Sequence, residues 1–139
     1  MKYACLVYIE DKKQDSLSES DLAEILADCD AAAAWQAELK QRGHHVFSAG
    51  LQSIHTAVTV RNRGGTLSMT DGPFAETKEF LGGFTIIDAR DLNEALHLVS
   101  KFQSRLLSIE VRPVMEPSAE LTDPGDRAIA DAICRRHSP

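Results

Sequence analysis

Cys5, Val7 and Ile9 fall on one parity of the chain, and Leu6 and Tyr8 fall on the other. A strand with one wet face alternates apolar and polar residues, because successive side chains point to opposite sides of the sheet. Residues 3–9 are therefore expected to form a strand covered on both faces. The pattern recurs in Phe80–Asp88, where Phe80, Phe84 and Ile86 oppose Leu81 and Ile87. Two such strands require a sheet with cover above and below, and they constrain the fold more than any other feature.

The remaining segments supply part of that cover. After a polar loop over 10–17, Ser16-Leu17-Ser18-Glu19 fits a capping box, with Ser18 and Ser20 as rival caps. A long helix is expected from there to about Arg42, with Gly43 as its terminator. Leu22, Ile25, Leu26, Cys29 and Ala33 recur at helical spacing and form its expected buried stripe. Val46–Leu51 reads as a short strand, and 56–61 and 66–70 as a hairpin closed by Asn62-Arg63-Gly64-Gly65. Asp91 with Glu94 caps a second helix, and Ser108–Val114 alternates as a last strand. In the tail over 117–139, Asp123-Pro124 resembles a helix start, with Ala128, Ile129, Ala132 and Ile133 as its apolar stripe.

The element order is close to the βαββαβ pattern of an α+β, ferredoxin-like sandwich. Two helices cover only one face of such a sheet. The second apolar face needs another cover, and the same face of a second copy is the simplest, giving a two-fold homodimer.

The chain has 139 residues, a size typical of one domain. Its formal net charge of −6 and scattered basic residues argue against direct binding of nucleic acid. No apolar run reaches the roughly 18 residues of a membrane span, so no membrane partner is expected. The start of the chain does not read as a signal peptide, which points to the cytoplasm. Cys5, Cys29 and Cys134 have no metal-ligand spacing and read as reduced thiols, with Cys5 and Cys29 in the core. No histidine pair has such spacing either, and no nucleotide, dinucleotide or nucleophile-elbow motif is present; neither metal nor cofactor is expected.

The most specific segment is Asp71-Gly72-Pro73-Phe74-Ala75-Glu76-Thr77-Lys78-Glu79-Phe80-Leu81-Gly82-Gly83-Phe84. It sets a dense polar cluster between apolar strands and closes on two glycines, which in a strand mark a bulge or a close approach. Together with Thr59-Val60-Arg61, Thr70, Asp91-Leu92, Glu94-Ala95 and Ile109–Val114, it resembles the YCII-related family in its DGPF-motif branch. The resemblance spans residues 1 to about 116, leaving 117–139 as a separate tail. It departs between Lys101 and Ser108, where relatives carry a proline and a glycine. It implies a dimeric α+β barrel of ferredoxin-like type. For function it implies two alternatives. Some members are enzymes that use a His–Asp pair in a cleft. Many in this branch have no assigned reaction, and their genes lie beside those of extracytoplasmic-function sigma factors, which implies a regulatory partnership.

The candidate catalytic pair is His55 and Asp71. A carboxylate behind an imidazole fixes its tautomer and raises its basicity. The plainer reading of Asp71 is a side chain bonding turn amides ahead of Pro73. Glu76, Lys78, Gly82, Gly83, Glu110 and Arg112 are the candidate ligand-binding residues around a small-molecule pocket. The arginine fork would suit a carboxylate, so an anionic or phenolic ligand is expected. Their plainer reading is an ion-pair network holding the motif loop against the last strand.

Overall fold

The computed structural model describes residues 1–10, 17–115 and 123–137. The elements are β1 (Lys2–Glu10), α1 (Glu19–Gln41), β2 (His45–Gly50), a 3-10 turn (Ile54–Thr56), β3 (Val58–Arg63), β4 (Thr66–Asp71), β5 (Glu79–Asp88), α2 (Leu92–Ser100), β6 (Leu107–Pro113) and α3 (Pro124–His137). The expected 116/117 boundary and the first-choice cap Ser16 lie outside the described residues. Ser18 is the N-cap of α1: its side chain accepts from Asp21 N, and the Asp21 carboxylate accepts from Ser18 N at 2.9 Å. The capping box therefore closes on an aspartate two residues beyond the expected glutamate. Gly43, at φ +78°, ends the helix in the left-handed region.

The main sheet is four-stranded and antiparallel, in the order β2-β5-β1-β6. With three helices it makes an α+β fold compatible with a ferredoxin-like arrangement, into which the β3–β4 hairpin is inserted between β2 and β5. The two strands with apolar residues on both parities, β1 and β5, are the central pair, flanked on each side. Their register shifts between Val7 and Tyr8. Val7 faces Gly83 and Tyr8 faces Leu81, leaving Gly82 as a bulge. A Cβ on Gly82 would fall 2.1 Å from Ile9 Cδ1, and one on Gly83 would fall 2.9 Å from the Ala49 carbonyl oxygen. Both glycines are thus explained by close approach.

Tyr3, Cys5 and Ile87 point to the helix side and pack with Trp35, Leu39, Ala95 and Leu98. The core side of α1 differs from the expected stripe. Its buried residues are Trp35 and Leu39, in its C-terminal half, while Leu22, Leu26 and Cys29 are exposed. The reason is anchorage. Trp35 donates its indole N–H to the Leu98 carbonyl at 2.9 Å, and Lys101 Nζ lies 2.9 Å from Glu38 Oε1. Both ties hold the C-terminal half against the core, whereas Asp28 in the N-terminal half bonds to Ser104 of the loop after α2. On the other sheet face, Leu6, Tyr8, Leu81, Phe84 and Ile86 are half-buried, with Phe47 tilted 6.0 Å from Phe84.

The hairpin forms its own two-stranded sheet. Gly64 and Gly65 make its turn at positive φ. Pairing of Val60 with Met69, and of Asn62 with Leu67, places Val58, Val60, Leu67 and Met69 on one face, all exposed. In the tail, Asp123 Oδ1 accepts from Gly125 N and Asp126 N, capping α3, whose Ala130 is buried.

Candidate functional site

The base of the hairpin carries the motif loop. Gly72 N donates to the Ala57 carbonyl at 2.8 Å, Thr59 Oγ1 to the Gly72 carbonyl at 2.8 Å, and Arg61 Nη2 to the Phe74 carbonyl at 3.2 Å. Thr59 and Arg61 therefore hold the backbone of Gly72-Pro73-Phe74 against β3. Gly72 itself sits at φ +99°, where a residue with a Cβ is strained. Part of the signature is accounted for by this local bonding.

The Asp71 side chain makes no hydrogen bond to the turn amides or to any other described residue, so the turn role expected for it is not the one it plays. It stands exposed at the end of β4 and lines a cleft of about 950 Å³ with His55, Glu76 and Lys78. Three separate segments bring these residues together: the 3-10 turn after β2, the end of β4 and the motif loop. The 3-10 turn is fixed by Ser53, whose hydroxyl accepts from His55 N at 3.3 Å. Thr56 Oγ1 donates to the Ser53 carbonyl at 2.7 Å. The imidazole itself has no hydrogen-bond partner among the described residues. Four of the expected site residues thus share one wall system.

The other four do not join them. Glu110 lines an adjoining depression with Lys78, Glu79 and Tyr8. Arg112 lines neither; its Nε lies 2.8 Å from Glu110 Oε1 on the same face of β6. The expected link from the motif loop to the last strand is made instead by Ser108 Oγ, which donates to Glu79 Oε1 at 3.3 Å. Gly82 and Gly83 line a third cavity, between α1 and the sheet.

Glu10 and Phe80 also line the cleft and were not among the expected residues. Glu10 arrives through its pairing with Glu79 at the far end of β1. Its position depends on strand register, which no local pattern reveals. With Glu10, Asp71 and Glu76 against Lys78, the lining is predominantly acidic. That balance disfavours an anionic ligand, because like charges raise the cost of binding. Among the described residues no group of three metal-ligating side chains is assembled, and no helix is long and apolar enough to cross a membrane.

An α+β domain with a ferredoxin-like sheet, a projecting hairpin and a polar cleft at the hairpin's base is the class that fold and site define. Residues 1–118 match the family model for the YCII-related domain, and the chain belongs to that family. It is also similar to an uncharacterised protein of Rhizobium meliloti (strain 1021), with 34% identity over 117 residues, covering 82% of this chain and 92% of the relative.

Proposed function

We propose that this chain is a DGPF-branch member of the YCII-related family, a homodimer of the α+β barrel type that binds a small molecule in the cleft at the base of each hairpin. The observation that carries the reading is the convergence of His55 and Asp71, both without side-chain partners, on one cleft with Lys78. An imidazole can take or return a proton in acid–base chemistry. Asp71 lines the same cleft, where its carboxylate can accept a hydrogen bond from a bound hydroxyl. The acidic lining narrows the expected ligand from anionic or phenolic to neutral phenols and related hydroxyl compounds. A proton leaving such a hydroxyl passes to His55, while Lys78 stabilises the oxyanion formed. Residues 1–116 carry this site, and the tail from 117 is an appendage to it.

A thermal-shift series with monocyclic phenols tests the reading. A phenol present at a hundred times its Kd stabilises the fold by about 2.7 kcal/mol. That stabilisation is expected in the native protein and absent in His55→Ala and Asp71→Asn. Equal shifts in all three proteins would remove both residues from the site. A second reading, a non-catalytic partner of an extracytoplasmic-function sigma factor, is favoured by the exposed apolar face of the hairpin. Under it, Val60→Lys abolishes sigma-factor capture and His55→Ala does not.

A further inference from the structure

The third cavity, about 290 Å³ between α1 and the sheet, differs from the cleft in nearly every respect. Its floor includes Val7, Ile9 and Ile109, and its roof includes Ile25 and Ala32 of α1. It lies where α1 stands off the sheet: the C-terminal half of the helix packs directly on the core, and Asp28 in its N-terminal half is tied to the 102–107 loop instead. Trp35 and Leu39 are buried, whereas Ile25 is half-exposed and Cys29, at the rim, is exposed. The helix and sheet therefore form a wedge that opens toward the N-terminal half of α1.

Hydrogen bonds hold the wedge at a defined width. Ser104 Oγ donates to Asp28 Oδ2 at 2.7 Å and accepts from Leu106 N and Leu107 N at 3.1 and 3.0 Å. This strut fixes the 102–107 loop against the helix across the cavity, so the helix cannot be treated as loosely placed. One side-chain amide, that of Gln36, lies half-buried in the wall with no hydrogen-bond partner among the described residues. Thr85, which also lines the cavity, already shares a 2.9 Å hydrogen bond with Ser48.

Apolar walls give water few partners, so the water such a space holds is readily displaced by an apolar molecule. The volume lies near the lower end of small-molecule pockets, which run from about 300 Å³ upward. We infer that the wedge between α1 and the sheet is a second ligand site, for a flat, mainly apolar molecule of about two fused rings that presents one polar atom to Gln36. The site is separate from the hairpin cleft and independent of its chemistry.

Naphthalene and quinoline test this, since they share a shape and differ in one ring nitrogen. Trp35 lines the cavity and is the chain's only tryptophan, so its indole N–H resonance reports on occupancy without ambiguity. Both probes are expected to shift that resonance saturably, with Kd values below about 1 mM. Gln36→Leu should weaken quinoline about tenfold, the worth of one hydrogen bond, and leave naphthalene unchanged. Ala32→Phe, placed in the roof, should abolish the binding of both while circular dichroism shows a folded chain. His55→Ala should change neither affinity. The absence of a saturable shift, or undiminished binding in folded Ala32→Phe, overturns the inference. If Ala32→Phe does not fold, the Gln36→Leu pair decides: equal effects on the two probes reject the site. Loss of both probes in His55→Ala would place them in the hairpin cleft, leaving the proposed function standing and this inference refuted.

Discussion

At the residue scale, the paired glycines of β5 show how a signature can record packing. A Cβ on Gly82 meets the tip of the Ile9 side chain, which can turn aside, whereas one on Gly83 meets the Ala49 carbonyl, which is fixed in the β2–β5 ladder. Gly83→Ala is therefore expected to destabilise the fold by about 1–3 kcal/mol, and Gly82→Ala by less. Urea denaturation orders them, and equal losses would contradict the account. Cys5 is the second such residue. Burial raises its thiol from 9.0 to about 11, so the folded state keeps a proton that the unfolded chain releases. Its contribution is complete below pH 9 and is lost as the pH rises toward 11, by about 3 kcal/mol in total. Cys5→Ala should flatten that alkaline decline in denaturation midpoints. At this scale the sequence was only partly legible. Asp71 and His55 could be singled out from their types, but their meeting at one cleft depends on a 3-10 turn held by Ser53. Arg112, equally eligible by type, pairs with its own strand neighbour and stays outside.

At the scale of elements, the central strands were readable because both of their parities are apolar, with Tyr3, Cys5 and Ile87 buried under the helices and Leu6, Tyr8, Phe84 and Ile86 half-buried on the other face. The helix α1 misled for a physical reason. Its spacing offers Leu22, Ile25, Leu26 and Cys29 as a buried stripe, yet tertiary ties at Trp35 and Glu38 decide which half docks. The Trp35 bond also answers a need of α2. Leu98 lies in the last turn of that helix, where carbonyls lack partners within the helix, and the indole N–H supplies one. Trp35→Phe should therefore cost about 1–3 kcal/mol, most of it from the buried carbonyl left unsatisfied. Denaturation with urea measures the loss, and hydrogen exchange should rise in α2 as well as in α1. A loss confined to α1 would show that the bond does not couple the helices. The ion pair from Glu38 to Lys101 joins the same two helix ends. Hydrogen bonds from Lys101 and then Arg42 hold the Glu38 carboxyl below its usual range, although the exposure of the pair limits its worth.

At the scale of the molecule, the hairpin poses the question that the sheet posed in the sequence. A two-stranded ribbon is marginal in water by itself. This one nevertheless turns Val58, Val60, Leu67 and Met69 to solvent on a single face, and Phe74 beside it is 79% exposed. Its motif loop is well bonded at the base, through Thr59 and Arg61, but those bonds do nothing for the apolar face. Helices α1 and α2 occupy the opposite side of the main sheet from Phe84 and Ile86, which are only half-buried. One two-fold contact that covers both surfaces satisfies them together, and it is the reason the proposed function includes a homodimer. Sedimentation of the native chain at micromolar concentration should give the dimer mass. The double substitution Val60→Lys and Met69→Lys sets two charges on the hairpin face without touching the core, and it should shift the protein to monomer while circular dichroism stays native. A monomeric native chain refutes the dimer outright. A native dimer that the double substitution leaves intact would confine the contact to the sheet face and leave the hairpin for another protein, the arrangement that the regulatory reading requires.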